Sequence, residues 1–146
     1  MRWFAQEHPS SCVAACVRMV LAEMGHERTE RDVRQLLGNP RFGLTLRRAA
    51  NMLQEAGALV EWHDDWGLDD IRDCLREGNY PIVGVERRFF GHTSAPHAVV
   101  VTAVRGREIF LLDPLSAQPP GTQSETFVAA WRSAGQEALV VLSAPL

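Results

Sequence analysis

Three residues of this 146-residue sequence have the types and spacing to carry covalent chemistry together: Cys12, His97 and Asp113. A cysteine attacks as its thiolate, and the first turn of a helix favours that anion because its N–H groups lack partners and the macrodipole is positive there. Ser10 or Ser11 can cap a helix running to about Met24, with Gly25 at the left-handed position that ends it, so Cys12 falls in that first turn. His97 opens the apolar run HAVVVTAV, where an imidazole needs a partner, and Asp113 closes the next run, IFLLDPL. A turn centred near Gly106 folds the two runs into an antiparallel hairpin with His97 and Asp113 as cross-strand neighbours. A carboxylate so placed fixes the imidazole tautomer, and the imidazole serves the thiol as base, which is the triad logic of cysteine acyl transfer. Gln6, six residues before Cys12 in a segment broken by Pro9, offers an amide N–H within reach of an oxyanion formed beside the thiol.

Singly, each of these residues has a plainer reading: a small buried thiol, a strand-end histidine bonded to backbone, a turn-making aspartate, a solvated glutamine. Their joint occurrence carries the argument. Cys16, one turn after Cys12 on the same helix face, is expected to pack inward, and Cys74 reads as another buried thiol. Three cysteines at these spacings give no disulfide framework. A zinc site from Cys12, Cys16 and His97 has a shared helix face but lacks a fourth ligand. His92 is a rival base, disfavoured because His97 has the apolar strand and the Asp-Pro partner. Phe90, in Phe89-Phe90-Gly91 just before the histidine strand, is a candidate wall of a substrate groove.

The elements that must hold these residues follow from periodicity and caps. Thr29 and Thr45 are placed to cap helices over 29–37 and 45–56, each followed by a glycine. A short strand is expected over 59–63, a helix over 69–77 and a buried strand over 81–86 entered by proline. After the hairpin of 97–104 and 108–112, Ser124 can cap a helix through Arg132, and 137–142 returns as a strand. Helices first and sheet afterwards, without regular alternation, indicate an α+β fold whose N-terminal helices pack on a C-terminal antiparallel sheet. The length suits a single domain, 1–146, around one core.

Composition removes whole classes of function. A formal charge of -3 offers no basic face for tracking phosphates, which argues against a nucleic-acid partner. All fifteen basic residues are arginine, so Schiff-base chemistry, a phosphate-loop lysine and a Ser/Lys dyad are excluded. The apolar runs at 98–104 and 138–143 are far shorter than the roughly 20 residues that cross a bilayer, so no membrane insertion is expected. Charges at Arg2, Glu7, Arg18 and Glu23 interrupt any signal-peptide core, which makes the cytoplasm the expected compartment.

The strings QEHPSSCVAACVRMVL, HAVVVTAV, IFLLDPL and ETFVAAW together resemble the bacteriocin-processing peptidases that cleave leader peptides after a double glycine. The resemblance spans nearly the whole chain and implies a papain-like fold with no metal or organic cofactor. It implies Cys12 as nucleophile, Gln6 in the oxyanion hole, His97 as base and Asp113 as its orienter, acting on a peptide or protein substrate cut after small residues. The family commonly has Asp-Cys-Gly at the nucleophile, whereas Ser11-Cys12-Val13 stands here. Its members are often the N-terminal part of a membrane exporter; the expectation here is a stand-alone domain whose exporter or modifying enzyme, of unknown identity, is a separate protein. Two further readings share the fold: an acyltransferase that passes the acyl-enzyme to an amine, and an inactive domain that only holds a peptide.

Overall fold

The computed structural model describes residues 1–117 and 120–146. Three helices come first, α1 (Cys12–Glu23), α2 (Glu30–Leu36) and α3 (Leu46–Glu55), and each apolar stripe turns to one face of a sheet. The rest of the chain supplies β1 (Leu59–His63), α4 (Leu68–Arg76), β2 (Ile82–Glu86), β3 (Pro96–Arg105), β4 (Glu108–Leu112), β5 (Thr122–Gln123), α5 (Ser124–Ser133) and β6 (Ala138–Ser143). Arg87–Phe90 form a 3-10 turn after β2. The six strands order as β1-β6-β2-β3-β4-β5, with antiparallel pairing throughout, as expected of the α+β fold.

Two of the four expected caps form as read. The Thr29 hydroxyl accepts from Asp32 N at 3.1 Å, and that of Thr45 accepts from Arg48 N at 3.1 Å. Ser11 holds the cap position of α1 without giving its side chain to the helix, because its hydroxyl is engaged by His8 and Glu30. Ser124 is not a cap either. Gln123 pairs with Glu108 in β5, the Ser124 N–H donates to Arg107 O at 2.8 Å, and the ladder thus runs directly into α5.

The expectation of one core gives way to two, because helices cover both faces of the sheet. Alternation along the strands sends Ile82, Ala98, Val100 and Leu139 to the side of α1, α2 and α3, and Val83, Val85, Val99 and Val101 to the side of α4 and α5. The second side closes over Ile71, Phe127 and Trp131, and the Trp131 indole N–H donates to Glu137 O at 2.9 Å. Trp131 therefore anchors α5. Among the described residues no helix is long and apolar enough to cross a membrane.

The hairpin of β3 and β4 decides what its far end can do. It turns at Gly106, whose φ of 61° lies in the left-handed region that tight reversals need. Near the turn, Arg105 pairs with Glu108 and Ala103 with Phe110; beyond it Val101 pairs with Leu111 and Val100 with Leu112, so Thr102 is an extra residue in β3. The Thr102 hydroxyl donates to Phe110 O at 3.2 Å and helps seat this bulge. Carried on without it, the register would set Asp113 opposite Val100 and turn its side chain to the face away from His97. The bulge restores the two side chains to one face.

Candidate active site

His97 enters the site from the start of β3 and Asp113 from the residue after β4. The imidazole Nε2 and Asp113 Oδ1 are 2.7 Å apart, and the same carboxylate oxygen accepts from Leu115 N at 2.8 Å. The strand end is tied down by the N-terminal segment: Trp3 Nε1 donates to Asp113 O at 2.7 Å and Gln6 N donates to Pro114 O at 3.1 Å. With Nε2 engaged by the carboxylate, Nδ1 is the ring nitrogen left to serve the Cys12 thiol, and His97 beside it favours the thiolate.

Cys12 is the first residue of α1, half-buried, while Cys16 and Cys74 are buried. Electrostatics separates the three thiols. Burial pushes the Cys12 thiol up, but the hydrogen bond and charge of His97 and backbone bonds at Ala98 and Val13 outweigh it, and its pKa falls below the ordinary 9.0. Burial pushes Cys16 well above that value and Cys74 up to about 12. Burial alone would lower the pKa of His97; the bonds and charges of Asp113 and Cys12 reverse this and raise it to about 9. Asp113 is raised by its own burial and lowered by more through His97, Leu115 N and the charge of Arg87, so it stays ionised. The combination favours a thiolate beside an imidazolium, with a carboxylate behind.

Gln6 lies on the loop leading into α1, and its Nε2 spends both protons on His8 O at 2.8 Å and Pro9 O at 3.1 Å. Its Oε1 is buried without a partner. His92, the rival base, is exposed, with its backbone N–H on Arg87 O. Phe90 is not brought to Cys12: it packs against the cluster beneath α5.

Cys12 and His97 open onto a cleft of about 310 Å³ between the loop before α3 and the turn after α5. Gly43, Leu44, Thr45 and Leu46 form one wall, Ala134 and Glu137 the other, and Gly84 and Ala98 the floor. These lining residues escape a reading of the sequence alone. Thr45 reads as a helix cap and Gly84 as one position of a buried strand, although a glycine inside a strand is a known sign of close approach. Val13, where the resembling family has glycine, is 4% exposed; its side chain belongs to the core and to the edge of the cleft together.

Comparison with known proteins bears on the fold that holds these residues. A protein assigned as a C39-like peptidase from Bacillus anthracis superposes with a TM-score of 0.79 at 12% identity, covering 99% of this chain and 96% of that one. The peptidase domain of Streptococcus ComA, a bifunctional ABC transporter involved in a quorum-sensing pathway, gives 0.76 at 19% identity, over 98% and 97% of the two chains. A double-glycine-motif protease from an AMS/PCAT transporter, solved in complex with its leader peptide, gives 0.71 at 18% identity, over 99% and 91%. No curated protein sequence is detectably similar. These likenesses establish the fold, and the model that matches residues 1–139 establishes the lineage: the chain belongs to the Peptidase_C39 like family.

Proposed function

We propose that the protein hydrolyses a peptide bond through Cys12, His97 and Asp113, cutting after small residues. The observation that carries this reading is the Asp113–His97 hydrogen bond of 2.7 Å at the mouth of a cleft that Cys12 and His97 line together, with the thiol's pKa lowered and the imidazole's raised by each other's presence. The Cys12 thiolate attacks the scissile carbonyl carbon, and negative charge moves to its oxygen. At the start of α1 the Cys12 N–H has no partner within the helix and meets that oxygen; Gln6 adds an amide N–H, because a developing oxyanion is a stronger acceptor than the backbone carbonyls holding it at rest. As the C–N bond breaks, the His97 Nδ1 proton passes to the leaving amine and a thioester remains. His97 then takes a proton from water, the hydroxide adds to the thioester carbonyl, and release of the acid restores thiolate and imidazolium.

Support for a small residue at the cut comes from the cleft itself, which Gly84, Ala98 and Ala134 line together with Cys12 and into which they project little or no side chain. The leader peptide bound to the AMS/PCAT protease supports a peptide as partner. The test is a peptide carrying Gly-Gly incubated with wild type, Cys12→Ala and His97→Ala, with products read by mass spectrometry, with and without an added amine. Cleavage by wild type alone, with a free carboxylate on the new end, is expected. In parallel, iodoacetamide should label Cys12 far faster than Cys16 or Cys74 and slow sharply in His97→Ala. Equal labelling of the three thiols in native protein would refute the nucleophile assignment.

A further inference from the structure

One buried charge is left over by this chemistry. Glu30, the first residue of α2, is 1% exposed, although an acidic residue in a first helical turn ordinarily enjoys the helix dipole from solvent. Its side chain turns inward to the loop before Cys12. There Oε1 accepts from Glu7 N at 3.0 Å and lies 3.0 Å from Ser11 Oγ, while Oε2 is buried without a partner. The neighbouring cations are engaged elsewhere: Arg18 bonds Glu7 Oε2 at 3.2 Å and Arg28 O at 2.9 Å, and Arg34 lies 2.8 Å from His8 Nε2. A carboxylate held in this way costs more than an apolar side chain of equal volume, so packing does not account for it.

Its partners do. Glu7 follows Gln6, and Ser11 precedes Cys12, so a single carboxylate oxygen bridges the two ends of the segment that carries both oxyanion donors of the proposed reaction. Ser11 Oγ also accepts from His8 N and lies 3.0 Å from His8 O, and Ser11 N donates to His8 O, which locks the turn between them. The Gln6 amide bonds His8 O and Pro9 O within the same turn. Any slackening at Glu30 is therefore passed to the Gln6 amide and to the Cys12 N–H together.

We propose that Glu30 is a positioning residue that fixes the 6–12 segment so that the Gln6 amide and the Cys12 N–H converge on the oxyanion. The inference rests on the peptidase reading above, and its consequence is a split between two reactions of the same thiol. Peptide cleavage builds an oxyanion, whereas alkylation by iodoacetamide builds none.

The experiment compares Glu30→Met, which keeps the volume and removes the acceptor, with Glu30→Gln, which keeps an acceptor oxygen. Each is measured for kcat and KM on the Gly-Gly peptide, for affinity to the matching peptide aldehyde, for the Cys12 alkylation rate and for thermal unfolding. Glu30→Met is expected to remain folded and to alkylate within about twofold of wild type. Its kcat should fall about 30- to 100-fold, with a parallel loss of aldehyde affinity and little change in KM. Glu30→Gln should recover kcat to within about fivefold of wild type. Undiminished kcat in Glu30→Met overturns the proposal, as does an equal loss of kcat and alkylation rate, which would mark a general loosening of the site. If wild type neither cleaves nor shows fast alkylation at Cys12, the peptidase reading itself fails, and the role of Glu30 with it.

Discussion

One region of the molecule holds it together and another is equipped to react. Beneath α5, Ile71, Val83, Val99, Phe127 and Trp131 make a closed apolar cluster, and its one indole N–H is satisfied by a backbone carbonyl. At the start of α1 the pattern reverses. Among the described residues, the three buried polar or charged side chains are Ser11, Glu30 and His97; Ser11 and Glu30 meet directly in front of Cys12, and His97 lines the same cleft as the thiol. Buried polar groups are costly unless they are paired, and a core can be filled more cheaply. Their concentration at one end of one helix marks where a buried polar side chain does something an apolar one cannot.

The contrast breaks most visibly when each region loses one large group. His97→Ala should lower peptide cleavage about 10³-fold while leaving the unfolding midpoint nearly unchanged, because the lost group is a proton carrier. Phe127→Ala should do the opposite. Phe127 is fully buried, so the variant should lose about 3–5 kcal/mol of unfolding free energy, while the molecules that stay folded cleave at the wild-type rate. Denaturant titration and kcat/KM on the same preparations separate the two. A Phe127→Ala variant that is stable but slow would show that the regions are coupled.

The pH dependence sharpens the distinction within the reactive region. Cleavage needs the thiolate and the imidazolium together, so the rate should fall at low pH as the Cys12 thiolate takes a proton, at a pH below the ordinary thiol value of 9.0. It should fall again at high pH as His97 loses its proton at about 9. Asp113 is the principal group raising His97 against its burial, so Asp113→Asn should move the alkaline limb to lower pH by about one unit or more and cut kcat/KM about 50-fold at pH 8. A pH profile of kcat/KM reads both. An alkaline limb that stays near 9 in Asp113→Asn would mean the carboxylate orients the ring without setting its charge.

The two regions also differ in how far the sequence discloses them. Helix positions, strand order along the chain and the pairing of the strand ends that carry His97 and Asp113 follow from periodicity, caps and one glycine turn, because these are local signals. The helix cover on the second face does not follow: α5 reads as an amphipathic helix, and which side it packs on is set by chain connections of long range. The bulge at Thr102 is equally hidden. A hairpin drawn from the turn alone counts one residue wrongly, and it is this extra residue that puts Asp113 on the face of His97. Glu30 reads as an ordinary first-turn acid, since nothing local reveals that the 7–11 loop folds over it. Ser11, expected to cap α1, serves that carboxylate instead.

The smallest predicted effect tests whether the cleft, as distinct from the triad, belongs to the reactive region. Gly84 lies in β2 opposite Ala98 and outside the left-handed backbone region, so alanine is conformationally acceptable there. A Cβ at this position would meet Ala134 Cβ, Ala134 O and Leu46 Cδ1, each at 4.0 Å, which is ordinary van der Waals contact. Gly84→Ala should therefore fold with unchanged or slightly raised stability, because alanine also restricts the unfolded chain. The added methyl nevertheless occupies the floor of the slot where a substrate backbone would lie, and one such group is worth about tenfold in kcat/KM. Alkylation of Cys12 by iodoacetamide, which needs no slot, should be unaffected. Slower cleavage with unchanged alkylation and a normal melt would assign Gly84 to substrate selection. Equal cleavage of the Gly-Gly peptide by both forms would mean that the chain passes elsewhere and that the floor of the cleft serves only the packing of β2 against α3 and α5.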